Sequence, residues 1–522
     1  MSNIFKKLWY IFRQRYGQIL LVLLLLVVCI VSFRSGKFLL SNDNYSPELN
    51  PFLSVSRYIE SPAWRGYRVL GIPSDSEQAD LFRSMLFLIL NGLFPRSSLA
   101  QIFSLICIVV GTLSMATLTT RFIRDFVNTK SSGYVFFISG LIYLSSLWTA
   151  WVFNFNMMPY IAQYGFLPLL LLSIYLLMKD FTYPRFFFLF ISSILFVSTS
   201  VIGTLFFVNI VLILFVFIYF GYLHRVKIKG ILKYFSLFLV VQLFWILPFV
   251  IYTKSVSQDI IDSPTNRAIT ANTIDLEKQM LDLPNAARLY TRLLGTVDDS
   301  EQKTFIFPMS EEYMNYDFYR VFGLLPIFFA LLGLVFTLLK KEFKLIPLWI
   351  VLFGFLFLLK NQNPPFGEVY IWLQEHFNIF KQVFRWVSSK VGQQYLVLLT
   401  MTATIGFLLL LNFLSSFLKK IPRYIFILFS LALVTVPLLF YMEYIFQGDL
   451  FTERATVVLP EEYYEFAGKI RKDPTSRIYY APPSNNGYFR EYEWGFVGSQ
   501  FISYLVPNPV MDMSLATGSD VG

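Results

Sequence analysis

The stretch that decides the fold is MSNIFKKLWYIFRQRY (1–16) followed by GQILLVLLLLVVCIVSF (17–33). The second part is an unbroken apolar run, and a membrane-spanning helix needs roughly 20 mostly apolar residues. The first part is basic. Signal peptides look similar, but no small-residue cleavage site follows the run. We therefore expect a retained membrane anchor with its N-terminus in the cytoplasm.

The composition extends this pattern to the whole chain. Of its 522 residues, 56% are hydrophobic and 15% charged, whereas soluble domains carry about 25% charge. Cys29 and Cys107 both lie in apolar runs, which excludes a disulfide framework, and two His are too few for a His-built metal site. We predict an all-α polytopic membrane protein with about 11 transmembrane helices. The predicted spans are 17–33, 99–118, 133–153, 161–178, 186–200, 205–222, 234–252, 319–339, 345–359, 391–415 and 424–445.

The charge of the loops supports this topology. With the N-terminus inside, the cytoplasmic segments hold nearly half of the 43 Lys and Arg but only three of the 33 acids. This is the positive-inside bias, so the net charge of +10 belongs to these loops and does not indicate a nucleic-acid partner. We expect an integral protein of the plasma (inner) membrane. The cytoplasmic segments are 1–16, 119–132, 179–185, 223–233, 340–344 and 416–423.

The long polar segments all fall on the other side. They divide the chain into a transmembrane domain, 1–445, with outer loops 34–98, 253–318 and 360–390, and an extracytoplasmic C-terminal segment, 446–522. That segment predicts a helix from Pro460 and a following strand, RIYYAP, which is typical of a small α/β unit. Because no last element is evident, we expect either a fragment of a longer protein or a tail that packs onto the loops.

The first outer loop contains the strongest candidate for chemistry. Asp43 follows the first span by about ten residues, with Asn42 and Asn44 beside it and Glu48 further on. A carboxylate near the membrane surface can act as a general base on a sugar hydroxyl, or bind a divalent cation through its oxygens. The alternative is a turn residue, because Ser-Asn-Asp is good turn chemistry.

Two further outer segments are candidate lipid or sugar contacts. DLFRSMLFLILNGLF (80–94) is too short to span, and we expect a helix on the outer leaflet with Arg83 facing the headgroups. The alternative is a spanning helix with a tight hairpin at PRSS. The loop FNFNMMPYIAQYGFLP (153–168) could line a groove with Asn156 and Tyr160, or its aromatic residues could be interfacial anchors.

A third candidate site precedes the tenth span, within FKQVFRWVSSKVGQQYLVLL (380–399). Arg385 and Lys390, with Lys381 one helical turn earlier, would suit a phosphate or pyrophosphate headgroup, because Arg binds it in bidentate fashion and Lys as a point charge. Cations that snorkel from a helix end are the alternative.

This order of features resembles the GT-C class of integral membrane glycosyltransferases, and most of all the N-terminal membrane region of the mycobacterial-type α-(1→3)-arabinofuranosyltransferase family. The resemblance covers residues 17–250, and more weakly 380–400. It rests on Asp43, NPFL (50–53), Trp64, Gly71, LFRSMLFLILNGLFPRSSLAQ (81–101), SGLIYLSSLWTAWVFNFNMMPYIAQYGFLPLLL (139–171) and FRWVSSK (384–390).

The resemblance implies transfer of a sugar from a polyprenyl-phosphate donor to a cell-envelope glycan or glycolipid on the outer face. It implies Asp43 as the catalytic acid/base, and it agrees with Arg385 and Lys390 on the donor phosphate. The class often pairs this acid with a second one, whereas this chain has Asn42 and Asn44 there, so a base acting alone is the simpler prediction. The expected groove residues are Glu48, Trp64, Arg83, Asn156 and Tyr160.

Two other functions fit the same sequence. A flippase or transporter for lipid-linked glycans would need a polar path between the spans, for which Asn209 and Gln242 are available. A non-catalytic scaffold would instead bind cell-wall polymer through its outer segments. The lack of ionisable residues inside the spans argues against an ion-coupled pump.

Overall fold

The computed structural model of the chain is almost entirely helical. It describes residues 3–511 except 41–44, 68–70, 128–132, 292–293, 295–296, 300–303, 306, 308, 418–422, 454, 472, 474–475, 480–489 and 499–500. In chain order the helices are α1 (Asn3–Ser32), α2 (Pro51–Glu60), α3 (Leu81–Leu90), α4 (Arg96–Phe126), α5 (Gly133–Leu144), α6 (Leu147–Asn154), α7 (Met158–Lys179), α8 (Tyr183–Val197), α9 (Gly203–Leu223), α10 (Ile228–Asp262), α11 (Pro264–Met280), α12 (Leu283–Ala287), α13 (Ser310–Asn315), α14 (Asp317–Gly323), α15 (Leu325–Leu339), α16 (Ile346–Leu359), α17 (Gly367–His376), α18 (Asn378–Val383), α19 (Val387–Phe417), α20 (Arg423–Phe440), α21 (Glu443–Gln447) and α22 (Glu461–Ile470).

The strands are short and form two-stranded pairs. Four pairs are antiparallel, namely β1 with β6, β2 with β3, β4 with β5 and β8 with β9, and β7 pairs with β10 in parallel. The strands are β1 (Phe38–Leu39), β2 (Trp64–Arg65), β3 (Ile72–Pro73), β4 (Val297–Asp299), β5 (Thr304–Phe305), β6 (Thr456–Val457), β7 (Ile478–Tyr479), β8 (Arg490–Glu491), β9 (Val497–Gly498) and β10 (Val510–Met511).

Within the described part of the chain, eight helical segments are long and apolar enough to cross a membrane. They lie in α1, α4, α7, α8, α9, α10, α14 with α15, and α19. The bent pair α5 and α6 would make a ninth, and α16 and α20 contain shorter apolar helices. Each predicted span falls on one of these segments. The expectation of an all-α polytopic membrane protein is therefore confirmed, while the number of crossings stays a prediction.

One predicted span, 133–153, is not a single helix. It breaks between α5 and α6 with a bend of 52°. Ser146 caps the second half, because its Oγ accepts a hydrogen bond from the Trp148 N–H at 3.1 Å. Serine side chains compete with backbone hydrogen bonds in this way, and Ser145 and Ser146 stand at the break.

Contacts between loops agree with the two predicted sides. Lys179 and Asp125, both in predicted cytoplasmic segments, form an ion pair. At the other end of the bundle, the Arg34 guanidinium donates to the Gly448 carbonyl at 2.9 Å, which joins the first outer loop to the C-terminal segment. Each contact joins segments that were predicted to lie on the same side, while the arrangement of the other loops and the side that faces the cytoplasm stay predictions.

The C-terminal segment packs onto the first outer loop. α22 begins one residue after Pro460, and β7 falls within the predicted strand RIYYAP. β1 pairs with β6, and Leu40 and Leu49 share a small hydrophobic core with Val457 and Val506. The described residues of 446–522 therefore share a core with loop 34–98. The domain boundary at 445 is not tested by this packing and stays a prediction.

Candidate functional site

The predicted catalytic residue Asp43 lies outside the described residues, within the gap at 41–44. The chain on both sides of this gap is described. Leu40 is the last described residue before the gap and Tyr45 is the first after it. The backbone carbonyls of both residues accept hydrogen bonds from side chains elsewhere in the chain.

On the first side, Asn156 holds Leu40. Its Nδ2 donates to the Leu40 carbonyl at 2.9 Å, and the Leu40 N–H donates to the Ala455 carbonyl at 2.8 Å. Asn156 is fully buried in the turn between α6 and α7, with a φ of 54°. Asn adopts this left-handed conformation more readily than most residues. The predicted groove residue Asn156 is thus a buried anchor for the loop.

On the second side, Arg83 holds Tyr45. Its Nη2 donates to the Tyr45 carbonyl at 3.1 Å, while its Nε and Nη2 bind the two Asp80 oxygens at 2.6 and 2.7 Å. The expectation that Arg83 faces the lipid headgroups is wrong, because Arg83 is 2% exposed. Met85 and Ile89, on the exposed side of α3, lie about 160° and 120° from it around the helix axis. These apolar residues face outward, while Arg83 turns inward to Asp80.

Glu48 lies beside this ion pair and is 1% exposed. Burial raises the pKa of its carboxyl to about 7, although the nearby Arg83 charge acts in the opposite direction. Among the described residues, the Nη1 of Arg83 has no hydrogen-bond partner, and the Ser46 hydroxyl near the Glu48 carboxyl acts, like Arg83, to lower the pKa of Glu48. The Arg83 guanidinium therefore forms its ion pair with Asp80 and not with Glu48. The Glu48 carboxyl, with its raised pKa, keeps its proton up to near neutral pH.

A second charged group supports the same loop. Arg65 forms ion pairs with Asp75 and with Glu77, the latter at 2.5 Å, and the Tyr67 hydroxyl donates to Glu77 at 3.2 Å. By contrast, Trp64 is 55% exposed on the β2–β3 hairpin. Of the five predicted groove residues, the structure therefore buries four and leaves Trp64 on the surface.

Tyr160 belongs to a buried aromatic cluster formed by α6 and α7. Its ring meets Trp151 edge-on at 4.8 Å between centroids, and Trp151 stacks on Trp148 at 4.4 Å and on Phe155 at 5.9 Å. Phe155 precedes Asn156 in the chain. The cluster therefore extends from the Asn156 turn into the membrane bundle.

The two predicted phosphate-binding cations lie where α11 meets the start of α19. The Nη1 of Arg385 donates to Asn266 Oδ1 at 2.5 Å, which ties it to α11. Glu277, fully buried on α11, accepts hydrogen bonds from the Val387 N–H at 2.6 Å and the Ser388 N–H at 3.1 Å, and so caps α19. Lys390 follows in the first turns of α19, within the field of both Arg385 and Glu277.

The aromatic cluster links these cations to the Asn156 turn. Trp148 Nε1 donates to Gln393 Oε1 at 2.7 Å. The Trp148 ring also lies against Gly392, where an added Cβ would come within 2.3 Å of a ring carbon. Both residues directly follow the Lys390 turn. The Asn156 turn, which holds Leu40, and the start of α19 are therefore joined through one continuous packed group.

Several members of this site were not identified from the sequence. The sequence could have indicated Asp80, because an acid three residues before Arg83 has the spacing of an ion pair on a helix. Trp148 and Trp151 are three residues apart and so share a helix face. Glu277 has no local signal, since only the tertiary fold brings it to α19. Among the described residues, no group of three or more His, Cys, Asp or Glu could hold a metal ion, so the proposal of a divalent cation at Asp43 remains untested.

Comparison with known proteins gives a likeness in fold. No protein-family model and no curated protein matches the sequence. A cryo-EM structure of the arabinofuranosyltransferase AftD from Mycobacteria, a mutant in class 2, is similar with a TM-score of 0.52 and 13% identity over 94% of this chain. The class 1 structure of the same mutant gives a TM-score of 0.47 at the same identity. This chain covers 32% of the AftD chain, and the likeness at this identity concerns the fold.

Proposed function

We propose that the chain is a membrane glycosyltransferase that moves a sugar from a polyprenyl-phosphate donor to a cell-envelope glycan or glycolipid. The likeness of its fold to an arabinofuranosyltransferase supports arabinofuranose as the sugar. The N-terminus lies in the cytoplasm, and the first outer loop and the C-terminal segment lie on the outer face of the plasma membrane. The basic loops support this orientation.

One observation carries the proposal. Two buried side chains, Asn156 and Arg83, hold the carbonyls on either side of the short segment that contains Asp43. These two contacts come from separate regions of the chain and fix the position of both ends of the segment. Catalytic groups need such support, because their geometry must be held closely to the reacting atoms.

The chemistry follows from the residues. The Asp43 carboxylate takes the proton of the acceptor hydroxyl, whose oxygen then forms a bond to the anomeric carbon of the donor sugar. The bond between that carbon and the phosphate oxygen breaks, and polyprenyl phosphate leaves with one additional negative charge. Arg385 and Lys390 stabilise this charge as it develops, which is where fixed cations accelerate a reaction most.

Asp43→Asn tests the base. The full chain in nanodiscs is given a polyprenyl-phosphate sugar and an oligosaccharide acceptor, and turnover is compared with that of the wild type. We expect a loss of about 10²-fold or more, the usual contribution of a general base. Asp317→Asn is the matched control, because the Asp317 side chain is 93% exposed. Equal turnover by Asp43→Asn and wild type rejects the assignment, and turnover that persists in EDTA supports a base acting without a metal ion.

Lys390→Met tests the leaving-group cation separately. Methionine keeps the length of the side chain and removes the charge, so the expected effect is a loss of about 10²-fold in kcat/KM, as for other fixed transition-state groups. Lys469→Met on the exposed surface of α22 is the control. An unchanged kcat/KM in Lys390→Met removes this residue from the mechanism.

The flippase alternative has less support from the bundle. Asn209 accepts hydrogen bonds from Gln163 and Gln394, both at 2.8 Å, and Gln242 binds Trp245 and the Ser193 carbonyl. Contacts of this kind cross-link helices. A proteoliposome assay in which lipid-linked sugar changes leaflet without sugar transfer would favour the flippase.

A further inference from the structure

The segment between α16 and α19 contains two short helices that do not bury all their apolar side chains. α17 has 10 residues, so its length is about 15 Å, too short to cross a membrane. Nevertheless Trp372 on α17 is 49% exposed, and Ile379 on α18 is 80% exposed. Phe366 and Phe377, at the two ends of α17, are exposed as well.

The side chains of α17 divide into three faces. Gly367, Tyr370 and Gln374 are buried against the protein. Glu368 and Glu375, one heptad apart, form an exposed acidic face. Val369 and Trp372, with His376 beside them, form an exposed face that lies roughly opposite the buried one and next to the acidic one, and Val369 and Trp372 make it largely apolar. A helix in water alone has no need of a separate exposed apolar face, whereas a helix at a membrane surface requires one.

Contacts with the rest of the protein fix the rotation of α17. The Tyr370 ring packs on Phe357 of α16 at 6.2 Å and on Phe380 of α18 at 5.3 Å. Its hydroxyl donates to the Phe384 carbonyl at 3.3 Å. The exposed face with Val369 and Trp372 is therefore held away from the protein, in a segment between the short apolar helix α16 and the long apolar helix α19.

We propose that α17 and α18 lie in the plane of the membrane, at the boundary between the phospholipid headgroups and the acyl chains. Val369, Trp372 and Ile379 enter the lipid, and Glu368 and Glu375 face water. Trp is enriched at this depth, because its ring is amphipathic. Lys381, exposed on α18, reaches the lipid phosphates with its long side chain.

A second short helix on the same side shows the same exposure. On α3, the exposed residues Met85 and Ile89 are four positions apart, and the exposed Leu93 follows in the turn after the helix ends. This is the stripe expected for a helix that lies on a leaflet. The first outer loop and residues 360–390 would then rest on one lipid surface. The inference concerns lipid contact alone and holds whether or not the chain transfers a sugar.

Fluorescence quenching in nanodiscs tests the proposal. In a Cys29→Ala background, where Cys107 is buried, single cysteines are introduced at Val369 and Ile379 on the apolar face and at Glu375 on the acidic face as the matched control. Each is labelled with the fluorophore NBD. Quenching is measured with phosphatidylcholine carrying a doxyl group at carbon 5 or carbon 12 of its acyl chain, and with aqueous iodide.

We expect doxyl lipid to quench the labels on the apolar face at least about threefold more than the Glu375 label. The doxyl group at carbon 5 should quench more than the one at carbon 12, since interfacial helices enter about 5–10 Å into the bilayer. Iodide should quench the Glu375 label more than the labels on the apolar face. Equal iodide quenching on both faces overturns the proposal. Protection of the apolar face from both quenchers also overturns it, because a protein then covers that face.

Discussion

The Glu48 carboxyl gives a prediction that does not depend on knowing the substrate. Its pKa is raised from 4.5 to about 7, chiefly because burial disfavours the charged form. One pKa unit corresponds to about 1.4 kcal/mol, so the difference between the two states amounts to about 3 kcal/mol. Glu48→Gln keeps the shape of the side chain and removes its titration. Comparing this variant with the wild type therefore isolates the contribution of Glu48 ionisation to the free energy of unfolding.

The sign follows from which state binds the proton more tightly. The native state holds the Glu48 proton up to about pH 7, whereas the unfolded chain releases it near 4.5. Stability is therefore lost as the pH rises between these two values and is level above them. From pH 5 to pH 8 the wild type should lose about 2.5 kcal/mol through this group relative to Glu48→Gln.

Thermal unfolding of the purified protein between pH 5 and pH 8 measures the effect. For a chain of 522 residues, a difference of this size shifts Tm by roughly 2 °C, with Glu48→Gln gaining on the wild type as the pH rises. Glu60→Gln, an exposed acid in the same loop, is the control and should follow the wild type. Parallel profiles for Glu48→Gln and wild type would refute the reasoning, because Glu48 would then be ionised in both states or accessible to water.

Two further predictions concern packing at the site. Asn156→Gly keeps the positive φ but removes the hydrogen-bond donor to the Leu40 carbonyl, so it should lower stability by about 1–3 kcal/mol. Asn156→Ala also removes the donor and adds about 1 kcal/mol or more of backbone strain. A Gly variant with the Tm of the wild type would contradict this prediction. Gly392→Ala forces a methyl group into the Trp148 ring and should cost about 1–3 kcal/mol, measured by Tm. Gly468→Ala, with open space around it, is the matched control, and equal effects of the two changes would exclude the close contact.

The helical membrane fold could be predicted because bilayers impose a simple rule on sequence. Apolar runs of sufficient length must be helical in lipid, and each predicted run falls on a helix. The break at Ser145 and Ser146 was not predicted, because hydropathy does not register a change of direction within an apolar run. Such a bend depends on side-chain hydrogen bonds and on the neighbouring helices.

The catalytic role of Asp43 stays a prediction, because this residue lies outside the described part of the chain. The sequence selected Glu48, Arg83 and Asn156 as groove residues, but it could not say which of them would be buried or what they would hold. Arg83 was misplaced because a charge in a short apolar helix was expected to seek water, whereas the nearby Asp80 makes burial tolerable. The partners of Leu40 and Tyr45 are distant in sequence and could be found only in the folded chain.

The pairing of β1 with β6 has a consequence for how the protein is made. Residues 38–40 emerge from the ribosome early, yet their backbone partners at 455–457 are synthesised more than four hundred residues later. Until then the entrance to the Asp43 segment has no strand beside it, and closing so distant a contact is slow. A nascent or truncated chain that ends before Ala455 should therefore contain its membrane helices but lack the strand that holds Leu40, so that the support on this side of the Asp43 segment forms only after synthesis has passed this point.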